Sequence, residues 1–418
     1  MSFVDAIKSL GTKKNTAEGR KRTKLRRVGN SLDVSLILMT CLLLVFGLLM
    51  IYSASSYEAN LDWGDSAYYF KKQAFAVILG LFAMVGIGLF MPSRLPERVL
   101  LPIMFVAFGL VMLLPVIGHA SHGATRWIRL GPLSIQPAEI VKVAIIIFEA
   151  TFLTKYMHTL HTWKGFLYSL IVPIVGLLFV RVFSNNLSSG LIIFLIGLGM
   201  VFIASYDYKK YALGVLGILI VAVIIYFALS KVEYSGDKKV DFRGERLIAW
   251  VNPEAQSDDL GYQTMQSLYA IGSGGLTGKG LGQSVQKMNF IPEAQNDMIF
   301  SIICEELGLV GAIIVFLMYI GLIGRMYLIA RSTRDLYKSL LVVGVMMQIT
   351  IQVLLNVAVV TNTIPNTGVS LPFISYGGSS VTILLAEIGL VLAVQRENAY
   401  EEDIRMRKRM EAEEAEEA

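Results

Sequence analysis

The sequence predicts an all-α polytopic membrane protein with about ten transmembrane helices, and two observations carry that prediction. The chain of 418 residues is 55% hydrophobic and 17% charged, too little polar surface to cover a water-soluble core of that length. The apolar residues also fall in long blocks nearly free of charge, at 36–52, 75–90, 99–117, 191–204 and 310–323. Blocks near ~20 residues match the hydrocarbon thickness of a bilayer. In lipid the backbone must satisfy its own polar groups, so each block reads as a helix. Spans are expected centred near residues 43, 82, 108, 147, 174, 198, 220, 312, 349 and 387.

Charge orients the bundle. Lys13, Lys14, Arg20, Lys21, Arg22, Lys24, Arg26 and Arg27 crowd the first thirty residues, which read as a basic cytoplasmic arm (1–32) at anionic headgroups rather than a cleavable signal. By the positive-inside rule the N-terminus is cytoplasmic. The same rule then places Arg94/Arg98, Lys155/Lys164, Lys209/Lys210 and Arg325/Arg331/Arg334/Lys338 inside, and the C-terminus with them. The net charge of +5 is therefore a membrane-topology signal, and no nucleic-acid partner is implied. The transmembrane domain runs over 33–396 and a charged cytoplasmic tail over 397–418. The outer side holds one large extracytoplasmic loop, 230–296, between helices 7 and 8. Loops of that length are usually functional. Phe242, Leu247, Trp250 and Val251 predict one amphipathic turn within it, and Tyr262, Met265, Gln266 and Tyr269 another, each suited to lying apolar face down on the membrane.

Several motifs read as structure rather than chemistry. The run from Gly272 to Gly280 fails the phosphate-loop template, because Ser273 replaces its first glycine and Gly280 its magnesium-binding Ser/Thr. A flexible turn, or a backbone cradle for a substrate phosphate, is what remains. His119/His122 and His158/His161 have ligand-like spacing but lie at opposite surfaces without a completing Cys or carboxylate. Cys41 and Cys304 each sit inside an apolar block, as inert thiols do.

Three outer segments carry the candidate chemistry. The first holds Arg126 and Trp127, then Gln136, Glu139 and Lys142. Glu139 and Lys142 are i, i+3 in the first turns of a span, and ionisable groups entering a membrane helix mark a site or pathway. The second closes the long loop with Pro292, Glu293, Gln295 and Asp297, followed by Glu305-Glu306-Leu307-Gly308. Pro292 suits the first position of a helix, which would set Glu293 and Asp297 on one face, two desolvated like charges tuned toward a general base. The third, 361–380, mixes Pro, Gly and Ser around Ser375, as backbone lining a polar cavity does.

Taken together these segments resemble the SEDS family (shape, elongation, division and sporulation), with its FtsW, RodA and SpoVE branches, over roughly residues 33–396. The motifs Gly-Ala-Thr-Arg-Trp-Ile, Gln-Pro-Ala-Glu, Gly-Tyr-Gln, Pro-Glu-Ala-Gln-Asn-Asp, Glu-Glu-Leu-Gly and Ser-Tyr-Gly-Gly-Ser-Ser stand in the family's order. The Thr-Arg-Trp-Ile form and the basic arm are most like the FtsW/SpoVE branch. The resemblance implies a peptidoglycan glycosyltransferase that polymerises lipid II at the outer face of the bacterial cytoplasmic membrane, at the division septum. It also implies a class B penicillin-binding protein (transpeptidase) and other division proteins as partners. The family's essential aspartate falls on Asp297, its outer-loop arginine on Arg126 and its span-four lysine on Lys142. One departure stands out: where the family commonly has an acid in Pro-Asp-Leu, this chain has neutral Asn186. A divalent cation, Mg or Mn, is the one cofactor to consider, and that substitution weakens its case.

The expected chemistry assigns Asp297 as the base for the acceptor hydroxyl. Arg126, Lys142 and Arg246 would stabilise the departing pyrophosphate. Glu293, Gln295 and Gln263 would orient sugar hydroxyls, with Trp127, Gln136, Glu139 and Ser375 completing the substrate site. Two other classes compete. A lipid II flippase or transporter would use Glu149, Arg181 and Glu387 as a pathway, though no inverted repeat is evident. A scaffold acting only through its tails would leave the outer motifs unexplained.

Overall fold

The computed structural model describes residues 32–95, 97–121, 124–130, 133–160, 162–205, 250–251, 253 and 260–417. Within them lie α1 (Val34–Trp63), α2 (Tyr68–Phe90), α3 (Glu97–Met112), α4 (Leu114–Ile117), α5 (Pro137–Tyr156), α6 (Trp163–Ser169), α7 (Ile171–Phe183), α8 (Leu187–Ser205), α9 (Leu260–Gly274), α10 (Ile299–Ser332), α11 (Leu336–Val360) and α12 (Gly378–Glu417). Among the described residues, eight helical segments, α3–α4 and α6–α7 each counting once, are long and apolar enough to cross a bilayer. The 20-residue α5 runs alongside them but carries Glu139, Lys142, Glu149 and Lys155. The basic arm, the span expected near 220 and Arg246 lie outside the described residues.

Helix ends follow from local chemistry. Asp33 caps α1 by accepting from the Leu36 amide (2.9 Å), and Gly64 ends it in the left-handed conformation, the usual stop at a helix C-terminus. Pro137 occupies the first turn of α5, where its missing N–H costs nothing. Asp335 caps α11. On α1 the exposed side chains Leu38, Leu42, Val45, Leu49 and Tyr52 recur at helical spacing as a lipid-facing stripe, while Leu36, Leu43, Met50 and Ile51 are sealed inside. α2 and α12 pack through small residues: a side chain at Gly80 would collide with Leu385, and one at Gly389 with the Met84 backbone. Close backbone approach of this kind drives helix pairing where no hydrophobic effect operates.

Strands β1 (His119–Ser121), β2 (Ala124–Leu130) and β3 (Leu133–Ile135) form a small antiparallel sheet, an addition to the all-α expectation. It caps the outer end of α5, and Ile128 of β2 joins a satellite core with Ala138, Val141 and Ile145.

One expectation for the long outer loop is corrected, and its helix is placed. Helix α9 keeps Tyr262, Met265 and Tyr269 off its packing face. Its buried face is Gly261, Thr264, Ser267 and Ala270, small residues that let it press onto α10 and α11, where Ser267 Oγ donates to Val360 O (3.0 Å). Tyr269 points outward. The Gly-rich run is neither a loose turn nor a phosphate cradle. Its amides bond back to the carbonyls of α10, Lys279 N to Glu305 O and Gly280 N to Glu306 O (both 2.9 Å), and its lysine is committed to Glu305 (2.7 Å).

The tail is not a separate body. α12 continues unbroken through residue 396, and Glu397 and Glu401 both reach Lys338 (3.0 and 2.8 Å). Cys41 and Cys304 are free thiols.

Candidate functional site

Asp297 sits at the outer mouth of the bundle, immediately before α10. The chain from 292 to 298 is a series of turns, not the helix that Pro292 suggested; the helix begins at Ile299. Glu293 has φ 49°, so it and Asp297 do not share a helical face. What holds Asp297 is the segment 361–377, which folds into the mouth. Asn356 Nδ2, from α11, donates to Asp297 O (2.7 Å) and to Val369 O (2.8 Å). Gly368, with φ 66°, lies so close that a side chain there would touch Asp297 Oδ2 (3.5 Å).

A belt of amides reaches this carboxylate at Gly368. Gln263 of α9 donates to Pro292 O (3.3 Å) and accepts from Asn366 Nδ2 (3.1 Å), and Asn366 Oδ1 accepts from Gly368 N (3.1 Å). Ser188, in the first turn of α8, donates to Thr367 O. Asn186 is buried one residue before α8 and accepts from Ser189 N (3.0 Å), so the neutral residue in the family's acidic position is the cap of that helix.

A second layer lies deeper. Lys142 has no exposed surface; its Nζ is 2.8 Å from Glu139 Oε1. Ser380, in the first turn of α12, reaches Glu139 at 3.5 Å. Glu387 lies within electrostatic reach of both and accepts from Gln348 Nε2 (3.0 Å). Gln348, Gln352 and Asn356 are i, i+4 and i+8 on α11 and all buried, so one face of α11 links the deep layer to Asp297. Sequence reasoning missed this stripe, although three amides at helical spacing in an apolar span were legible.

The other expected residues are placed as follows. Arg126 and Trp127 stand half-buried on β2, and Gln136 half-buried at the N-cap of α5. Glu293 accepts from Asn296 Nδ2 (2.6 Å). Gln295 is buried and hydrogen-bonds Glu58 of α1, which also faces Glu293 and Asp62. Its backbone carbonyl takes the Tyr376 amide (2.8 Å). This geometry turns Gln295 inward, away from the sugar-orienting role expected of it. Ser375 is likewise turned inward: its hydroxyl accepts from Leu371 N (2.7 Å) inside the turn. Next to it, burial pushes the Tyr376 phenol up to about 12, which keeps it protonated at neutral pH.

Among the described residues no three His, Cys, Asp or Glu side chains converge as ligands, and the groups of the belt that reaches Asp297 are amides, hydroxyls and carbonyls.

Fold and site thus define a multi-span membrane protein with a polar mouth at one end of its helix bundle. The FtsW/RodA/SpoVE family model, described as "cell cycle protein", matches residues 34–400. The chain belongs to this family. It is 36% identical to stage V sporulation protein E of Bacillus subtilis over 88% of this chain and 98% of that protein. It is 34% identical to a probable peptidoglycan glycosyltransferase FtsW of Geobacter metallireducens over 87% and 94%. Among solved structures, a chain of a peptidoglycan synthase complex superposes with TM-score 0.68 at 22% identity, covering 88% of this chain and 98% of that one. RodA of Thermus thermophilus superposes with TM-score 0.60 at 22% identity, covering 88% and 97%. At that identity the likeness is one of fold.

Proposed function

We propose that this chain is a peptidoglycan glycosyltransferase that polymerises lipid II at the outer face of the cytoplasmic membrane during cell division. The observation that carries the reading is Asp297, a half-buried carboxylate at the outer mouth whose backbone and surroundings are fixed by Asn356, Gly368 and the amide belt. In the reaction, the acceptor sugar's hydroxyl oxygen attacks the anomeric carbon of the donor. The bond from that carbon to the lipid pyrophosphate breaks, and the hydroxyl proton passes to Asp297 as general base. Negative charge grows on the leaving pyrophosphate, where preorganised cations act best. Arg126 on β2 is the cation we assign to meet it. Lys142, sealed beneath with Glu139, acts by charge from below, and Arg246 is assigned by resemblance alone. Gln263 and Glu293 lie at the rim, where sugar hydroxyls would be held.

The peptidoglycan glycosyltransferase activity for which the FtsW relatives are named and the polymerization-and-crosslinking complex formed by a structural neighbour support this reading. A class B penicillin-binding protein is the partner we assign, and the septum the location. A flippase is the second reading, favoured by Glu149 and Glu387, both fully buried in membrane helices. The test is to purify the chain with that partner, supply lipid II, and resolve products on a gel beside Asp297→Asn. Glycan ladders from the unaltered protein alone are expected. Ladders of equal yield from a folded Asp297→Asn protein would sink the assignment of the base. No product from either, with lipid II crossing reconstituted vesicles, would establish the flippase instead.

A further inference from the structure

The outer ends of α1 and α2 meet in a short hairpin. Gly64, in the left-handed conformation, ends α1, and Asp65 ties the turn by accepting from Ala67 N (3.0 Å) and Lys71 Nζ (2.7 Å). Trp63, the last residue of α1, and Tyr68, the first of α2, stack across it with ring centroids 4.3 Å apart and planes 11° from parallel. The Trp63 side chain also hydrogen-bonds that of Tyr69. An indole has one donor, its ring N–H, so that N–H is committed inward. Lys72 closes the edge of the stack, its Nζ 4.3 Å from the Tyr68 ring centroid and donating to Tyr68 Oη (2.5 Å). One indole face is therefore covered, yet Trp63 remains 58% exposed, which leaves the opposite face open.

An aromatic belt residue is built differently. A tryptophan that anchors a helix at the headgroups keeps its ring in the apolar layer and its N–H toward water. Here the N–H turns to a tyrosine, and the last turns of α1 carry Glu58, Asn60 and Asp62, charged and polar groups that place this end past the hydrocarbon. The hairpin is also locked to the mouth. Tyr69 packs edge-on against Tyr376 (5.1 Å, 80°), whose amide donates to Gln295 O. Gln73 of α2, buried, donates to Ser375 O (3.3 Å) and accepts from Gly377 N (3.0 Å), and Glu58 hydrogen-bonds Gln295. Trp63 is thus a flat aromatic plate held in fixed register with the loop that carries Asp297.

We infer that the open face of Trp63 is a sugar-stacking subsite that holds a pyranose ring of the glycan strand away from the reacting bond, an inference that rests on the polymerase reading. A pyranose presents a face of C–H groups that suits the electron-rich face of an indole, and a plate oriented before binding loses little freedom when it is occupied. Asp62, exposed and next in the chain, and Lys72, 5.9 Å from the ring, supply the polar rim that a hydroxylated ring needs and an acyl chain does not. A strand held there between additions stays with the enzyme, which favours long products.

The test uses the full chain in detergent and a lipid-free tetrasaccharide of alternating N-acetylglucosamine and N-acetylmuramic acid. Calorimetry follows binding, and gels follow glycan length once lipid II and the transpeptidase partner are supplied. Trp63→Ala is expected to weaken tetrasaccharide binding about tenfold, the scale of a lost aromatic contact with its buried area, and to shorten the glycan ladders. Trp63→Phe keeps a ring on Tyr68 and retains most of the binding, which separates loss of the plate from loss of the fold. Tyr57→Ala removes another exposed aromatic from the same end of α1 and binds as the unaltered protein does. Equal binding by the unaltered protein and a folded Trp63→Ala protein overturns the inference, and so does no binding by either. Normal sugar binding by Trp63→Ala with a lowered unfolding temperature in lipid nanodiscs marks a membrane anchor instead. Trp63-dependent binding without ladders from the unaltered protein keeps the subsite and sinks the polymerase reading alone.

Discussion

Lys142 and Glu139 form an ion pair with almost no contact with solvent, and the cost of breaking it depends on which partner goes. Removing one member of a buried pair strands the other charge and costs about 3–5 kcal/mol, whereas replacing both with neutral groups of similar volume is often harmless. Lys142→Met is therefore expected to lower the unfolding temperature in detergent sharply, and Lys142→Met/Glu139→Gln to recover most of it. If the pair serves the reaction, the doubly altered protein stays inactive on lipid II despite its recovered stability. A stable and active double variant would make the pair scaffold only. These two residues were legible in the sequence because charge three residues apart inside an apolar span has no bland explanation. Asn186 was legible as a departure, but its role was not. It caps α8 through Ser189 N, so Asn186→Asp should fold normally, with the added charge favoured at a helix N-terminus. Asn186→Leu should lose about 1 kcal/mol, read as a lower unfolding temperature.

α10 is two helices joined at Gly308, whose φ of 66° and ψ of −160° no other residue adopts easily. The Gly-rich turn fills the notch. Leu309 N and Val310 N bond to Gly275 O and Leu276 O (3.0 and 3.1 Å), and a side chain at Gly308 would collide with the backbone of Gly278 and Leu276. Below the notch, Lys287 Nζ meets Glu306 Oε1 at 2.8 Å, and Ser53 of α1 donates to the same carboxylate at 2.7 Å. The Glu-Glu-Leu-Gly motif is thus a clasp that fixes the short helix bearing Asp297 at its start. Gly308→Ala combines positive φ with a steric clash and is expected to destabilise the protein by at least ~1 kcal/mol. It should also reduce polymerisation more than a core substitution of equal stability cost, such as Leu322→Ala, because it displaces the start of α10. Equal activity loss at matched stability would deny the clasp any positioning role. Nothing in the sequence announced this arrangement: the glycines were visible, but the carbonyls they bind belong to a helix some thirty residues later. The same limit hid the buried face of α9, where the residues that pack are small and the residues that look amphipathic face outward.

Across the whole molecule, the apolar blocks made the spans and their order readable, since hydrocarbon thickness and backbone satisfaction leave a helix little alternative. Which helices pair was not readable, because small-residue grooves such as Gly80 and Gly389 between α2 and α12 have no counterpart in periodicity. The interior holds a further property that only packing reveals. Asn356, Gln352 and Gln348 on α11, Glu387 on α12 and Glu139 and Lys142 on α5 form a polar seam from the mouth toward the membrane centre. Asn356 Oδ1, Gln352 Oε1, Gln348 Oε1 and Glu387 Oε1 are buried without a protein partner. Unsatisfied groups at such density are costly unless ordered water meets them, and polar residues within membrane helices ordinarily serve a site. The seam is therefore expected to hold ordered water, visible in a high-resolution experimental map between α5, α11 and α12. Gln352→Leu separates the two reasons such a residue can be buried. If the seam exists for the reaction, removing an amide whose Oε1 has no protein partner leaves the unfolding temperature unchanged or raised, since little native bonding is lost, while lipid II polymerisation falls. If Gln352 instead holds the bundle together, the variant loses stability by about 1–3 kcal/mol, and the surviving folded fraction polymerises at the normal rate. Measuring both quantities on one preparation decides whether the polar interior is working surface or scaffold.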